Sequence, residues 1–117
     1  IRIENEKVED SLLLLEKINK NEAYDAIIRD LATYFLLMRK LENPNYTGFT
    51  SILTKARIEN SPFKYLFLEI KAIRKLVLGD LEEAKNEFNE LFTNQDTPMD
   101  IRNRAIKFIE LSEQNVK

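Results

Sequence analysis

The chain contains no histidine and no cysteine among its 117 residues. Imidazole or thiolate zinc sites, cysteine nucleophiles, Ser-His-Asp triads and disulfides therefore each lack a participant. Carboxylates, amines, guanidinium groups and phenols remain, in four groupings. Glu82, Glu83, Glu87 and Glu90 fall on one face of a predicted helix. An acid/base pair would need two such carboxyls converging in a cleft, and this spacing reads instead as a solvated acidic face. Lys64, Lys71, Arg74 and Lys75 crowd a second helix, with Lys71 and Lys75 one turn apart, and read as a solvated basic ridge rather than a phosphate-binding surface. Arg102 and Arg104, early in the last helix, are expected to form ion pairs with the preceding acidic helix. Tyr24, Tyr34, Tyr46 and Tyr65 suit core packing with a wet hydroxyl, and Tyr46 with Phe49 is the pair best placed to be exposed for a peptide. Gly48 lacks the neighbouring glycines of a phosphate loop. These readings assign no catalytic, cofactor-binding or metal-binding residue, and single out no partner-binding residue.

The elements that carry these groups are helices. Two glycines and three prolines punctuate the chain too sparsely for a strand-rich sandwich. Hydrophobic residues at 44% and charged residues at 32% fit one folded helical domain spanning residues 1–117. A net charge of −2 provides no basic field for nucleic acid or an anionic membrane. The longest markedly apolar run, Leu31 to Met38, is well short of the ~20 residues that span a bilayer.

Apolar spacing predicts six helices in three hairpins, over residues 5–41, 47–78 and 80–113. The first helix, from Asn5 to Asn19, aligns Val8, Leu12, Leu15 and Ile18. The second carries Ile27, Leu31, Phe35 and Met38 with Ile28, Ala32, Leu36 and Leu37 beside them, a surface broad enough to need cover on more than one side. The third, from Gly48 to Glu59, is short. Ser61-Pro62 and Thr97-Pro98, 36 positions apart, each place a hydroxyl at an N-cap and proline at the first helical position. Gly79 closes the fourth helix, and Asp80 with Glu83 forms a capping box for the fifth. Shifting the first hairpin by 73 lays Ser11 on Ala84, Leu15 on Phe88 and Ala32 on Ala105, small on small and large on large. A period near 36 is that of a helical repeat array. The fold class expected is all-α, an array of about three helical hairpins, with Ala84 and Ala105 at the close crossings.

The segment with Pro62, the run from Gly79 to Ala84, Phe88, Thr97-Pro98 and Arg102 to Ala105 resembles the C-terminal part of bacterial membrane-anchored tetratricopeptide-repeat-like proteins. These are related to the ancillary subunit of the SecYEG translocon. Ala84 and Ala105 lie farther apart than the standard tetratricopeptide repeat places its small residues. The resemblance implies a tetratricopeptide-like right-handed α-solenoid of about three helical hairpins, serving as a non-catalytic protein–protein interaction scaffold without cofactors, on the periplasmic face of the inner membrane and linked to protein translocation or envelope assembly. It further implies translocon or periplasmic chaperones as partners, no nucleic acid, and an anchor upstream of Ile1 as the only membrane contact. Self-association through an apolar end face is a further expectation. The alternatives are a cytoplasmic tetratricopeptide-type adaptor and the non-catalytic repeat domain of a larger enzyme.

Overall fold

The computed structural model describes residues 13–18, 20, 21, 25–55 and 58–115, and every regular element among them is helical. Residues 13–18 form α1. Then follow α2 (Ala26–Lys40), α3 (Phe49–Lys55), a 3-10 turn (Ile58–Asn60), α4 (Lys64–Val77), α5 (Leu81–Thr93) and α6 (Met99–Asn115). The all-α expectation holds. Of the first predicted helix, Val8 and Leu12 lie outside the described residues, as do Ser11 and Tyr24.

Local chemistry sets the breaks. Asp25 caps α2 by accepting from the Ile27 N–H. After α2, Asn43 and Pro44 make a turn closed by the Tyr46 N–H to the Asn43 carbonyl, while the Asn43 side chain accepts from the Asn45 N–H. Where apolar spacing predicts a third helix running to Glu59, α3 is described as far as Lys55 and Ile58–Asn60 form a 3-10 turn. The chain is tightened into the 3-10 turn ahead of Pro62, which disfavours a helical Ser61. The Ser61 hydroxyl accepts from the Phe63 N–H in a local turn, but α4 begins only at Lys64, with Phe63 as its N-cap and no side-chain cap bond, so the expected Ser61 cap with Pro62 at the first helical position does not form. Thr97 differs: its hydroxyl is buried without a hydrogen-bond partner, and α6 starts at Met99.

At the α4–α5 corner Gly79 has φ +85°. Its N–H reaches the Leu76 carbonyl and the Asp80 N–H reaches that of Lys75, which is a Schellman closure. The predicted capping box is displaced by it. The Asp80 N–H that Glu83 would have accepted from is already used, the Asp80 carboxylate makes no cap bond, and Glu83 turns to Lys75. A Cβ on Gly79 would meet nothing within 4 Å, so Gly79→Ala should cost only the left-handed backbone penalty, about 1–2 kcal/mol. Urea unfolding of the variant reads this directly, and a stabilised variant would contradict the corner.

Two packed clusters make the core, and Ile73 of α4 touches both. One joins α4, α5 and α6 around Ala72, Ala84, Phe88, Leu91, Ile101 and Ala105, with Phe88 stacked on Phe108 at 4.8 Å. The other joins α2, α3 and α4 around Leu37, Phe49, Phe67 and Ile70. Lys75 pairs with Glu83 and, one turn farther from the corner, Lys71 pairs with Glu87, so α4 and α5 run antiparallel. Arg102 to the Phe92 carbonyl and Lys85 to Glu113 make α5 and α6 antiparallel as well. Ala84 and Ala105 are 0% and 1% exposed, as the small-residue register expects. Ala84→Leu or Ala105→Leu should overpack these crossings by ~1–3 kcal/mol, whereas exposed Glu82→Ala should shift stability by less than ~0.5 kcal/mol. Thermal melts showing equally small effects from all three would contradict the packing.

Candidate partner-binding cleft

Several groups expected to face water are structural. Arg74, read from sequence as part of a solvated ridge, is 6% exposed. Its Nη1 donates to the carbonyls of Leu41 at 3.0 Å and Asn43 at 2.7 Å, and its Nη2 to that of Tyr46 at 3.0 Å. These carbonyls follow the C-terminus of α2, where helix geometry leaves acceptors unmatched and the dipole favours a cation. The guanidinium also lies 4.7 Å from the centre of the Phe49 ring. Phe49 is 1% exposed, so the Tyr46–Phe49 pair, the one best placed to be open to a peptide, is packed instead. Tyr46 packs on the second cluster with Lys40 over its ring, and its phenol is raised above the usual value by burial and then by the charge of Glu16. Tyr34 meets Phe67 edge to face at 6.2 Å, and Tyr65 packs on the first cluster.

The arginines of α6 also find other partners than expected. Arg104 makes a two-pronged ion pair with Glu69 of α4, at 2.7 and 2.9 Å, instead of reaching the acidic helix α5. The Glu69 hydrogen bond is the largest influence raising the Arg104 guanidinium further above its ordinary value. Arg102 caps the end of α5 at the Phe92 carbonyl. Of the acidic face, Glu82 and Glu90 are exposed, whereas Glu87 is half-buried against Lys71 at 3.2 Å. The hydrogen bond from Lys75, followed by its charge, holds the Glu83 carboxyl below the usual range. These rungs span a hairpin at partly exposed positions, where solvent screening leaves each a small contribution.

Arg74 shapes the main opening. By pinning the loop after α2 onto α4 it fixes α3 at a distance from the α4–α5 corner, and a cleft of about 420 Å³ remains between them. Phe49, Leu53, Ile58 and Leu78 supply its apolar lining, while Lys71, Lys75 and Asp80 stand along one side. Leu78 is 48% exposed, an apolar side chain presented at the lip. Such a mixture suits an apolar anchor with polar groups around it. Other openings are smaller, among them one of about 270 Å³ beside Tyr46, Gly48 and Ile52. A cavity of about 110 Å³ between α4 and α5 includes Glu87, Glu90 and Asn94, and a shallow recess of about 210 Å³ brings Pro62 and Pro98 together beside Tyr65. Among the described residues no group of three or more carboxylates could hold a metal, and no helix is long and apolar enough to cross a membrane.

No family model, characterised protein or solved structure matches this chain.

Sequence reasoning missed Arg74 and Glu69 as buried groups, although a signal was present. Phe67, Ile70 and Arg74 are spaced i, i+3, i+7, and Leu66, Glu69 and Ile73 likewise. A charge in core register must be paired or bonded when it is buried.

Proposed function

We propose that this chain is a non-catalytic protein–protein interaction scaffold, a right-handed tetratricopeptide-like stack of about three helical hairpins that receives a segment of a partner protein in the α3–α4 cleft. The observation that carries the reading is the cleft itself, apolar at its base and open at the junction of two packed units. The register of the second helices supports a repeat. Arg74 meets the Leu41 carbonyl across 33 positions and Arg104 meets Glu69 across 35, so α2, α4 and α6 lie parallel at nearly constant offset. Pro62 beside Pro98 repeats that offset at the helix starts. In such arrays each unit buries its apolar face on the next and offers loops and grooves to partners.

The family-like run from Pro62 to Ala105 adds a location to the proposal: the periplasmic face of the inner membrane, through an anchor outside these residues, with translocon or periplasmic chaperone proteins as the partner class. A topology reporter fused to the C-terminus of the full-length protein tests this. A periplasmic signal is expected, and a cytoplasmic one would favour an adaptor of the same architecture. Leu78→Glu tests the cleft. It should abolish recovery of the partner while leaving the helical circular dichroism and melt unchanged, because Leu78 is half exposed. Undiminished recovery would remove the cleft from the binding surface.

A further inference from the structure

The surface of α2 is divided in an unusual way. Ala32, Thr33, Leu36 and Leu37 are buried, yet the outward arc is also apolar: Ile27 is 54% exposed, Ile28 48%, Leu31 39%, Phe35 48% and Met38 45%. At 100° per residue these five fall within a third of the helix circumference and run its whole length. A helix apolar on both sides belongs between two layers. The far end of the molecule differs: the outward line of α6 is Asn103, Lys107, Glu110 and Gln114, all exposed, flanked by Ile106 and Leu111. One end of the stack is thus closed by a polar line and the other presents an apolar face.

We infer that the α2 face is a homodimer interface, occupied by α2 of a second copy in antiparallel orientation. Three features select that occupant. First, charge on the arc's flank is self-complementary. Asp25, the N-cap, and Arg39 at the C-terminus are both exposed and lie on the Ile28 side of the stripe, Arg39 next to Ile28 and Asp25 farther round. A two-fold axis across the middle of α2 brings Arg39 of each copy to Asp25 of the other, and sets the two helix dipoles head to tail. A parallel pair would instead leave these charges on opposite flanks, with no partner across the interface. Second, an axis between Ala32 and Thr33 that brings Asp25 near Arg39 also sets Ile27 near Met38 and Leu31 near Phe35, each to within about one residue of register. Third, the five half-exposed side chains form a continuous apolar core that supplies on the order of half of the ~800 Å² per partner of a stable interface, the flanking polar residues supplying its rim. Because the opposite end has a polar line, association closes at two copies rather than growing into a filament.

This inference is independent of the cleft and of the partner proposed for it. Light scattering of the 117-residue chain should give a dimer at about 100 µM, with Phe35→Glu shifting it to monomer at unchanged helicity. The absence of cysteine makes the register directly readable. On mild oxidation, a mixture of Ile27→Cys and Met38→Cys chains should form a mixed disulfide, while either chain alone should form little. Self-linking of each with no mixed product would mean a parallel pair and overturn the arrangement. A wild-type monomer would overturn the dimer. So would a Phe35→Glu chain that unfolds as a monomer, since the stripe would then be covered within its own chain.

Discussion

Replacing Arg74 by methionine is expected to destabilise the fold by about 2–4 kcal/mol, far more than a surface arginine would. Methionine keeps the aliphatic stem but removes every donor, leaving the Leu41, Asn43 and Tyr46 carbonyls without the group that gathers them. Hydrogen bonds to a charged donor contribute ~1.5–3 kcal/mol, and part of the loss is recovered because the loop beyond Leu41 can turn to water. Arg74→Lys should recover less than half, because a single ammonium cannot reproduce a planar fork that serves carbonyls from two nitrogens. Urea denaturation of the three chains decides this. An Arg74→Met melt equal to wild type would return the side chain to the solvated ridge predicted from its neighbours.

Phe67→Ala should cost more still, ~3–5 kcal/mol. The ring is fully buried, meets Tyr34 across the α2–α4 contact, and its loss opens a cavity between elements too rigid to collapse onto it. The site also predicts where the damage appears. The two core clusters share Ile73 of α4, so weakening the α2–α3–α4 cluster leaves the α4–α5–α6 cluster largely intact. Amide hydrogen exchange should therefore accelerate in α2 and α3 well before α5 and α6. Uniform acceleration along the chain would mean that the two clusters unfold as one unit.

The features legible in the sequence are those governed by nearby residues. Gly79 ends α4 because only a residue without Cβ accepts φ +85° at no penalty, and that need is visible in the flanking pattern. Ala84 and Ala105 announce close crossings because the repeat overlay aligns small residues there, and both are buried. Where two local devices compete the reading fails: Asp80 serves the end of α4 through its N–H, and so cannot complete the capping box of α5. Arg74 and Glu69 were hidden for a different reason. Their partners lie 28 to 35 positions away, and the loop or helix that covers each is chosen by tertiary packing rather than by neighbouring residues. The cleft follows from that packing, since its position depends on where Arg74 ties the α2–α3 loop.

The scaffold reading is tested most directly by photo-crosslinking in cells. A photoreactive residue is placed at Leu78, on the lip of the cleft, and in a second strain at Asn103, on the outward line of α6. The account predicts one discrete adduct from Leu78, heavier than the chain by the mass of a protein other than itself, and none from Asn103. Adducts of equal yield from both positions, or none from Leu78 while the protein is folded and expressed, would contradict it.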